Sequence, residues 1–533
     1  HGAPTIGNAH PHCDSGGQLA LIHNGIIENY RVLKTFLESV GITVRSETDT
    51  EVLAALIGHF YDGKLDDAVR RALREVRGTF GIAVIHTGQP KMIVAARRGS
   101  PLLVGIGQDE YIIASDAAAV VQHTTQVIYL EDNEVVVVGG EDGFRTTTLD
   151  AAPVSKDIEE VEMTLEQIEL GGHKHFMSKE IFEQPEAIRT CMRGRLDLDE
   201  GRVILGGIAS VARELMHTKR VILTACGTAW HAALIGEYLF EDLARIPCET
   251  EYASEFRYRN PVIEDGTMVI AISQSGETAD TLAALREARD KGALALGIVN
   301  SVGSTIAREA DAGVYLHVGP EIGVASTKAF VGQITVLAML AAYMGRRRHL
   351  SPADCTEYLR QLAKMPAAIE TALGLSDQAK AIAEKCVERS NWLYLGRGLQ
   401  YPVALEGALK LKEISYIHAE GLPAAEMKHG PIALITDGMP VVIIAPRGHW
   451  YEKTLGNIEE VRARGGEVIA IATEGDTYIE QVAEHVLYVP DVAQVLQPLV
   501  TVVPLQLIAY HAAVLRGCDV DKPRNLAKAV TVE

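Results

Sequence analysis

The chain has 533 residues, 47% of them apolar, and a formal charge of −20 at pH 7. One core does not reach this size, so the length predicts about three domains. The negative charge argues against nucleic acid or an anionic membrane as the main partner. Seven cysteines without a C-x-x-C pair are typical of reduced cytosolic thiols. We therefore expect a cytoplasmic protein that holds no metal and no disulfide framework.

Residues 1–165 alternate short β runs with two helical stretches, a pattern that predicts an α+β sandwich. An apolar strand begins at Leu19 and runs into Asn24-Gly25. Two interpretations of this dipeptide are open: a turn, or an oxyanion hole made by the Asn24 amide and the Gly25 N–H. We expect helices near residues 26–39 and 50–73. The sequence S-E-T-D-T-E starts the second of them.

The text from Ser155 to His175 is acidic and irregular, and Gly171-Gly172 is its best linker candidate. We place the linker at residues 166–174. A helical segment, H-F-M-S-K-E-I-F-E-Q-P, then opens the second half of the chain.

The stretch Met268–Leu282 begins as a continuous apolar run, breaks into a hydroxyl-rich turn and continues as a helix. Such a turn offers backbone N–H groups, a helix dipole and hydroxyls, which together suit a phosphate dianion. Because no P-loop pattern is present, a phosphate monoester is favoured over a nucleoside triphosphate. The alternative is a polar loop in which Thr278 only caps the helix. The proposed donors are Ser273, Gln274, Ser275 and Thr278.

The longest apolar stretch, Ile334–Met344, is too short to span a bilayer and leads into Arg346. A buried helix with a cationic C-terminal end explains this pattern.

The second half of the chain contains an internal repeat. Ala253–Tyr258 matches Ala424–His429 at an offset of 171, and Gly227 falls on Gly398 at the same offset. Two βαβ-type domains with buried parallel sheets follow, at residues 175–349 and 350–517. In the second copy the S-Q-S-G turn is replaced by A-P-R-G, so only the first copy is predicted to bind phosphate.

The second copy instead carries the helical text L-E-G-A-L-K-L-K-E-I-S-Y-I-H-A-E. Glu406, Lys410 and Glu413 recur there on one helical face. Such a face is commonly a salt-bridged surface, and it is equally suited to line a cleft.

These motifs resemble known families. H-N-G-I-I-E-N, S-E-T-D-T-E and R-R-G-S-P-L are similar to the N-terminal-nucleophile glutaminase domain of amidotransferases, and the two copies resemble paired sugar-isomerase (SIS) domains. With A-C-G-T, E-I-G-V-A-S-T-K-A-F and the tail D-V-D-K-P-R-N-L-A-K-A-V-T-V-E, the whole chain resembles the isomerizing glutamine–fructose-6-phosphate aminotransferase family. The resemblance implies conversion of D-fructose 6-phosphate and L-glutamine to D-glucosamine 6-phosphate and L-glutamate, the first step of hexosamine synthesis. It implies a homodimer without a cofactor.

The resemblance also implies roles for individual residues. Glu413 would move the proton between C1 and C2, Lys410 would steady the developing charge, and His429 of the neighbouring subunit would assist ring opening. Lys528, in a tail over residues 518–533, would form the Schiff base. Thr228 would join the phosphate donors, and two residues, Val324 and Ser326, would touch the sugar. In the glutaminase site, the implied glutamine contacts and oxyanion donors are His1, Asn24, Gly25 and Asp49.

The nucleophile of the glutaminase family is an N-terminal cysteine upstream of the H-N-G motif, and this sequence starts at H-G-A-P. Cys13 lacks the free terminal amine that activates such a thiol. We therefore expect no glutamine hydrolysis by the chain as written. Two other functions stay open: an isomerase or deglycase acting on sugar phosphates, and a non-enzymatic sugar-phosphate sensor.

Overall fold

The computed structural model describes residues 2–3, 5–139, 143–161 and 169–530. The chain divides into two compact units: the first comprises the residues up to Glu169 together with the C-terminal residues from Val530, and the second spans Leu170–Ala529. Each unit is described by itself.

The first unit contains two antiparallel sheets. In its described residues the larger sheet has the strand order β1-β2-β3-β4-β8-β9-β10 and the smaller one β11-β7-β5-β6. Apolar side chains between the sheets form one core layer, and helices cover the other face of the larger sheet. The strands are β1 (His12–Cys13), β2 (Leu19–Ile27), β3 (Gly78–His86), β4 (Met92–Arg98), β5 (Leu103–Ile106), β6 (Tyr111–Ala114), β7 (Gln126–Tyr129), β8 (Glu134–Gly139), β9 (Phe144–Thr148), β10 (Pro153–Val154) and β11 (Glu159–Glu160). The helices are α1 (Tyr30–Ser39), α2 (Asp49–Phe60) and α3 (Leu65–Glu75).

Two details of this unit differ from the sequence prediction. Asn24-Gly25 is not a turn, because β2 continues through it and helix α1 begins only at Tyr30. The single helix expected over residues 50–73 is two helices, separated at Gly63, whose φ is +110°. A residue in that backbone region interrupts a right-handed helix, and glycine adopts it at little cost.

The second unit contains two five-stranded parallel sheets with equivalent orders, β15-β14-β16-β17-β18 and β20-β19-β21-β22-β23. This equivalence confirms the internal repeat. A separate two-stranded sheet consists of β12 (Leu196–Asp197) and β13 (Arg202–Val203). The strands of the parallel sheets are β14 (Arg220–Ala225), β15 (Cys248–Tyr252), β16 (Thr267–Ser273), β17 (Leu294–Val299), β18 (Ala312–Tyr315), β19 (Asn391–Gly396), β20 (His418–Pro423), β21 (Pro440–Ala445), β22 (Glu467–Thr473) and β23 (His485–Val489).

Helices flank these sheets. They are α4 (Phe176–Phe182), α5 (Gln184–Met192), α6 (Ala212–His217), α7 (Gly227–Leu239), α8 (Ala253–Phe256), α9 (Ala279–Asp290), α10 (Thr305–Glu309), α11 (Lys328–Arg346), α12 (Pro352–Ala363), α13 (Met365–Leu373), α14 (Ser376–Cys386), α15 (Gln400–Ser415), α16 (Tyr451–Arg462) and α17 (Pro498–Leu515).

Two helical stretches, Lys328–Arg346 and Gln494–Leu515, are long and apolar enough to cross a membrane by length and composition. The most apolar windows of these stretches are 100% and 83% buried inside the fold. Their composition is therefore that of core helices, as predicted for Ile334–Met344.

Candidate active site

The first parallel sheet has a topological switch point between β14 and β16. From β14 the chain crosses to β15 on one side, and β16 pairs with β14 on the other side. Ligands bind at the carboxyl ends of the strands beside such a point. Thr228, just after β14, and Ser273, the last residue of β16, both lie at this edge.

The S-Q-S-G turn is organised by its own hydroxyls. Ser273 Oγ lies 2.9 Å from Thr278 Oγ1 and accepts the Gly276 N–H at 3.0 Å. The Ser275 hydroxyl accepts the Glu277 N–H at 3.2 Å, and Gln274 is fixed through its carbonyl, which accepts the Asn300 N–H at 3.0 Å. The predicted donors therefore share one compact loop at the N-terminus of α9, where the helix dipole favours an anion.

The space beside Gly227 in the first copy has a counterpart beside Gly398 in the second copy, and there a side chain fills it. A Cβ added at Gly398 would come within 2.5 Å of the Trp450 ring, whereas one added at Gly227 would meet no described heavy atom within 4 Å. The indole thus occupies in the second copy the space that stays accessible in the first.

The charged face of α15 is buried. Glu406 and Lys410 are both 0% exposed, and the side chain of Glu413 is 22% exposed. The Lys410 Nζ lies 2.6 Å from Glu413 Oε2 and 3.4 Å from Glu406 Oε1. Burial by itself lowers the pKa of Lys410, but the Glu406 and Glu413 carboxylates outweigh it and raise that pKa, so the lysine stays charged. The face lines the interior, and the surface salt-bridge interpretation is wrong.

Thr228 connects the two sugar-isomerase copies. Its hydroxyl donates to Glu406 Oε1 at 3.1 Å and accepts from the Lys410 ammonium at 3.0 Å. Thr228 therefore joins the charged face of α15 in the second copy to the start of α7 in the first.

His231 is a member of this cluster that sequence reasoning left without a function. Its Nδ1 lies 2.7 Å from Glu406 Oε2, and both side chains are buried. Three residues beyond Thr228 on α7, it reaches the same carboxylate from the same helical face. The i, i+3 spacing of Thr228 and His231 was the sequence feature that could have placed His231 in this cluster.

The segment Glu321–Thr327 brings the C-terminal tail to the site. Lys528 Nζ donates to Glu321 Oε2 at 3.0 Å and to the Gly323 carbonyl at 2.7 Å. Ser326 donates to the same carboxylate at 2.7 Å, and the Val324 N–H donates to the Asp521 carbonyl at 3.1 Å. The segment therefore carries both predicted sugar contacts and holds the predicted Schiff-base lysine.

The apolar residues near Lys528 do not hold the C-terminal tail in place. Leu526 and Val530 are 45% and 55% exposed. Polar groups hold the tail instead: the Asp521 carboxylate accepts two backbone N–H groups at the start of α4, each at 2.9 Å, and Tyr416 accepts the Arg524 N–H at 2.8 Å.

His429 ends the 3₁₀ turn Ala424–His429 and is exposed on this single chain. Among the described residues of this single chain, His429 makes no hydrogen bond or ion pair with Glu413.

In the first unit, Asn24, Gly25 and Asp49 lie on neighbouring elements. Asp49 Oδ2 accepts the Ile27 N–H at 2.8 Å, which ties the start of α2 to the end of β2. A Cβ at Gly25 would lie 2.2 Å from the Thr79 carbonyl oxygen, so only glycine permits this close strand pairing. Asn24 is exposed beside it. His1 lies outside the described residues.

Comparisons with known proteins match this arrangement. A glutamine amidotransferase domain model matches residues 5–122, and an SIS domain model matches twice, at residues 214–343 and 387–516. Over all of its length the chain is 56% identical to glutamine–fructose-6-phosphate aminotransferase (isomerizing) of Chlorobaculum tepidum and 53% identical to that of Bacteroides thetaiotaomicron, covering 87% and 88% of those proteins. The chain belongs to the isomerizing glutamine–fructose-6-phosphate aminotransferase family.

A solved structure supports the same assignment for the SIS half of this aminotransferase-family chain. The C-terminal domain of glucosamine-fructose-6-phosphate aminotransferase from Francisella tularensis is 40% identical with a TM-score of 0.64. The match covers 66% of this chain and 100% of that structure.

One group in the described residues has metal-ligand chemistry: Cys386, Glu467 and His485, whose ligand atoms lie within 4.8 Å of one another. Glu467 and His485 are the first residues of β22 and β23, at the sheet edge opposite the aminotransferase-family sugar site. Burial raises the pKa of Cys386 to about 12, and Glu467 adds to the effect. The thiol is thus protonated near neutral pH in the absence of a metal ion.

Proposed function

We propose that this chain carries out the family reaction, forming D-glucosamine 6-phosphate and L-glutamate from D-fructose 6-phosphate and L-glutamine. The observation that supports this most is the position of Glu321. It binds Lys528 of the tail at 3.0 Å, and its charge also raises the pKa of Lys410 on α15. One carboxylate thus links the Schiff-base candidate with the charged helix face.

We assign the chemical steps to that cluster. Lys528 attacks C2 of the open-chain ketose and water leaves, giving a Schiff base; ammonia then adds to C2 and releases the Lys528 amine. Glu413 moves the proton from C1 to C2 of the resulting imine, which yields the 2-amino aldose. Lys410, held cationic between two carboxylates, stabilises the negative charge that develops during this transfer. Thr228 and the S-Q-S-G loop orient the phosphorylated end, while Val324 and Ser326 contact the sugar.

We assign the glutamine-binding residues of the family reaction to the first unit, with Asn24 and Gly25 as oxyanion donors and His1, Gly25 and Asp49 as glutamine contacts; no residue of this sequence is assigned as the nucleophile. We assign residues 1–165 to the glutaminase domain, 166–174 to the linker, 175–349 and 350–517 to the two SIS domains, and 518–533 to the tail over the sugar site. The exposed position of His429 supports a homodimer in which this imidazole serves the partner's site. We place the protein in the cytoplasm, with small molecules rather than nucleic acid or membranes as partners.

The test is formation of amino-sugar phosphate from fructose 6-phosphate, with glutamine or a high ammonium concentration as the nitrogen source. We expect ammonium-supported product from the SIS half and its loss in Glu413→Gln. The ammonium arm examines the sugar site independently of the glutaminase. Isomerisation to glucose 6-phosphate without amination would favour the isomerase alternative. No turnover by folded protein that still binds the sugar would favour the sensor.

A further inference from the structure

Helix α4 carries a buried carboxylate, Glu180, that no step above uses. It is 2% exposed, and its Oε1 accepts the backbone N–H groups of Ile322 and Gly323. Its Oε2 has no hydrogen-bond partner among the described residues, and a Cβ placed on Gly323 would lie 2.9 Å from it. Both oxygens therefore face the same segment of backbone.

That segment is the one on which Lys528 depends. The peptide groups fixed by Glu180 precede the Gly323 carbonyl, which accepts from Lys528 Nζ at 2.7 Å. The first two N–H groups of the same helix donate to the Asp521 carboxylate, and the Asp521 carbonyl accepts the Val324 N–H. Helix α4 thus holds the segment Glu321–Thr327 through Glu180, and the first turn of the helix holds the C-terminal tail.

We propose that Glu180 is a positioning residue for Lys528: it fixes the Ile322-Gly323 backbone and thereby sets the place and protonation of the attacking amine. This inference rests on the proposed function, because it takes Lys528 as the Schiff-base lysine.

Electrostatics support the second part of this role. Burial and the neighbouring charge of Glu321 raise the pKa of Glu180 to about 7, while Lys528 pulls it down. By reciprocity an ionised Glu180 favours the ammonium form of Lys528, and a neutral Glu180 favours the amine. The sugar-phosphate reaction needs the amine. The other charged or titratable groups on the described elements packed around Glu180 include His173, His175, Lys179, Glu183, Lys328, Tyr510 and Asp521.

The experiment traps the Schiff base in the full chain. The Lys528 amine adds to C2 of fructose 6-phosphate, water leaves, and borohydride delivers hydride to C2 while solvent supplies the proton, giving a stable secondary amine. Mass spectrometry of the Lys528 peptide measures the yield between about pH 6 and 9, the range in which a perturbed carboxyl or amine titrates. Lys528→Arg establishes that trapping is at this residue.

Two variants of Glu180 distinguish its effect on the position of Lys528 from the effect of its charge. Glu180→Gln keeps an oxygen that accepts both N–H groups, so we expect trapping to persist with its half-maximal pH shifted lower. Glu180→Ala loses the acceptor, so we expect trapping to fall by about tenfold or more, as for a misplaced reacting group, with a raised KM for the sugar. Glu186→Gln, an exposed carboxylate paired with Arg189, should leave both readouts unchanged.

The outcomes are separable. If the wild-type chain traps no sugar at Lys528, the proposed function fails. If it does, and Glu180→Ala matches wild type or Glu180→Gln shows no pH shift, the inference about Glu180 is overturned. Should Glu180→Ala not fold, the presence or absence of the shift in Glu180→Gln decides.

Discussion

At the proposed sugar site, charged side chains form ion pairs with one another while buried from solvent. Lys410 is completely buried, yet two carboxylates and the Thr228 hydroxyl keep it cationic. Removing one member of a buried network leaves the others without compensation, which costs more than the network contributes as a whole. Such residues therefore affect activity and stability together.

Replacing Lys410 with methionine removes the only ammonium in contact with Glu406 and Glu413 among the described residues. We expect loss of amination and a decrease of about 3–5 kcal/mol in the free energy of unfolding of the SIS half, since the fully buried Glu406 carboxylate loses its ammonium partner. Urea unfolding measures the second effect. Lys412→Met, on the exposed side of the same helix, is the control and should behave as wild type. Equal urea midpoints for Lys410→Met and Lys412→Met would contradict a stabilising role for the buried ion-pair network.

Glu321 gives a pH-dependent prediction. Burial raises its pKa, but Lys528 and hydrogen bonds from Ser326, Ala329 and Thr327 outweigh burial and lower the pKa from 4.5 to about 2. A depressed carboxyl pKa stabilises the fold above the unfolded pKa, and this stability disappears as pH falls toward the folded value. We therefore expect Glu321→Gln to be less stable than wild type at neutral pH, with the difference in urea midpoint shrinking below about pH 4.5. A pH-independent difference would contradict this assignment.

At the scale of elements, the S-Q-S-G loop, which we propose binds the phosphate, depends on the close approach of β16, α9 and the segment before α10. Gly276 has a φ of +68°, and an added Cβ would lie 2.0 Å from Ser304 Oγ. Glu277 beside it binds the Thr305 N–H and hydroxyl, each at 2.8 Å. The loop is thus fixed from both sides before any ligand binds, which reduces the ordering cost of binding.

Gly276→Ala combines backbone strain with this clash, so we expect the KM for fructose 6-phosphate to rise about tenfold or more through displaced phosphate donors. Gly292→Ala is the matched control, because its φ is +86° and no described atom lies within 4 Å of the added Cβ. It should lose about 1–2 kcal/mol of stability from backbone strain alone, with an unchanged KM. A similar KM for both variants would show that the loop does not position phosphate.

At the scale of the whole chain, duplication gave two sheets of equal topology that now serve different purposes. The first keeps a hydroxyl-rich switch point, and the second fills the equivalent position with Trp450 while contributing the charged helix α15. Their contact through Thr228, His231 and Glu406 makes one site from two copies.

This division predicts one fructose 6-phosphate per chain. Isothermal titration calorimetry should give a stoichiometry of one, and Ser273→Ala should weaken that single binding event. Thr473→Ala, in the second sheet, should leave it unchanged. Two equivalent sites per chain would contradict the assignment of phosphate binding to the first copy alone.

The sequence by itself was enough to predict the classes of structure and to propose the residues of the chemistry. Buried apolar strands and a fixed offset identified two parallel-sheet domains, because period and spacing are local properties of the chain. The family motifs selected Lys410, Glu413 and Lys528. The burial of the α15 face, the role of His231 and the polar attachment of the tail were decided only by tertiary structure. Each depends on which distant carboxylate meets which donor, and a charged face has the same pattern whether solvent or another domain covers it.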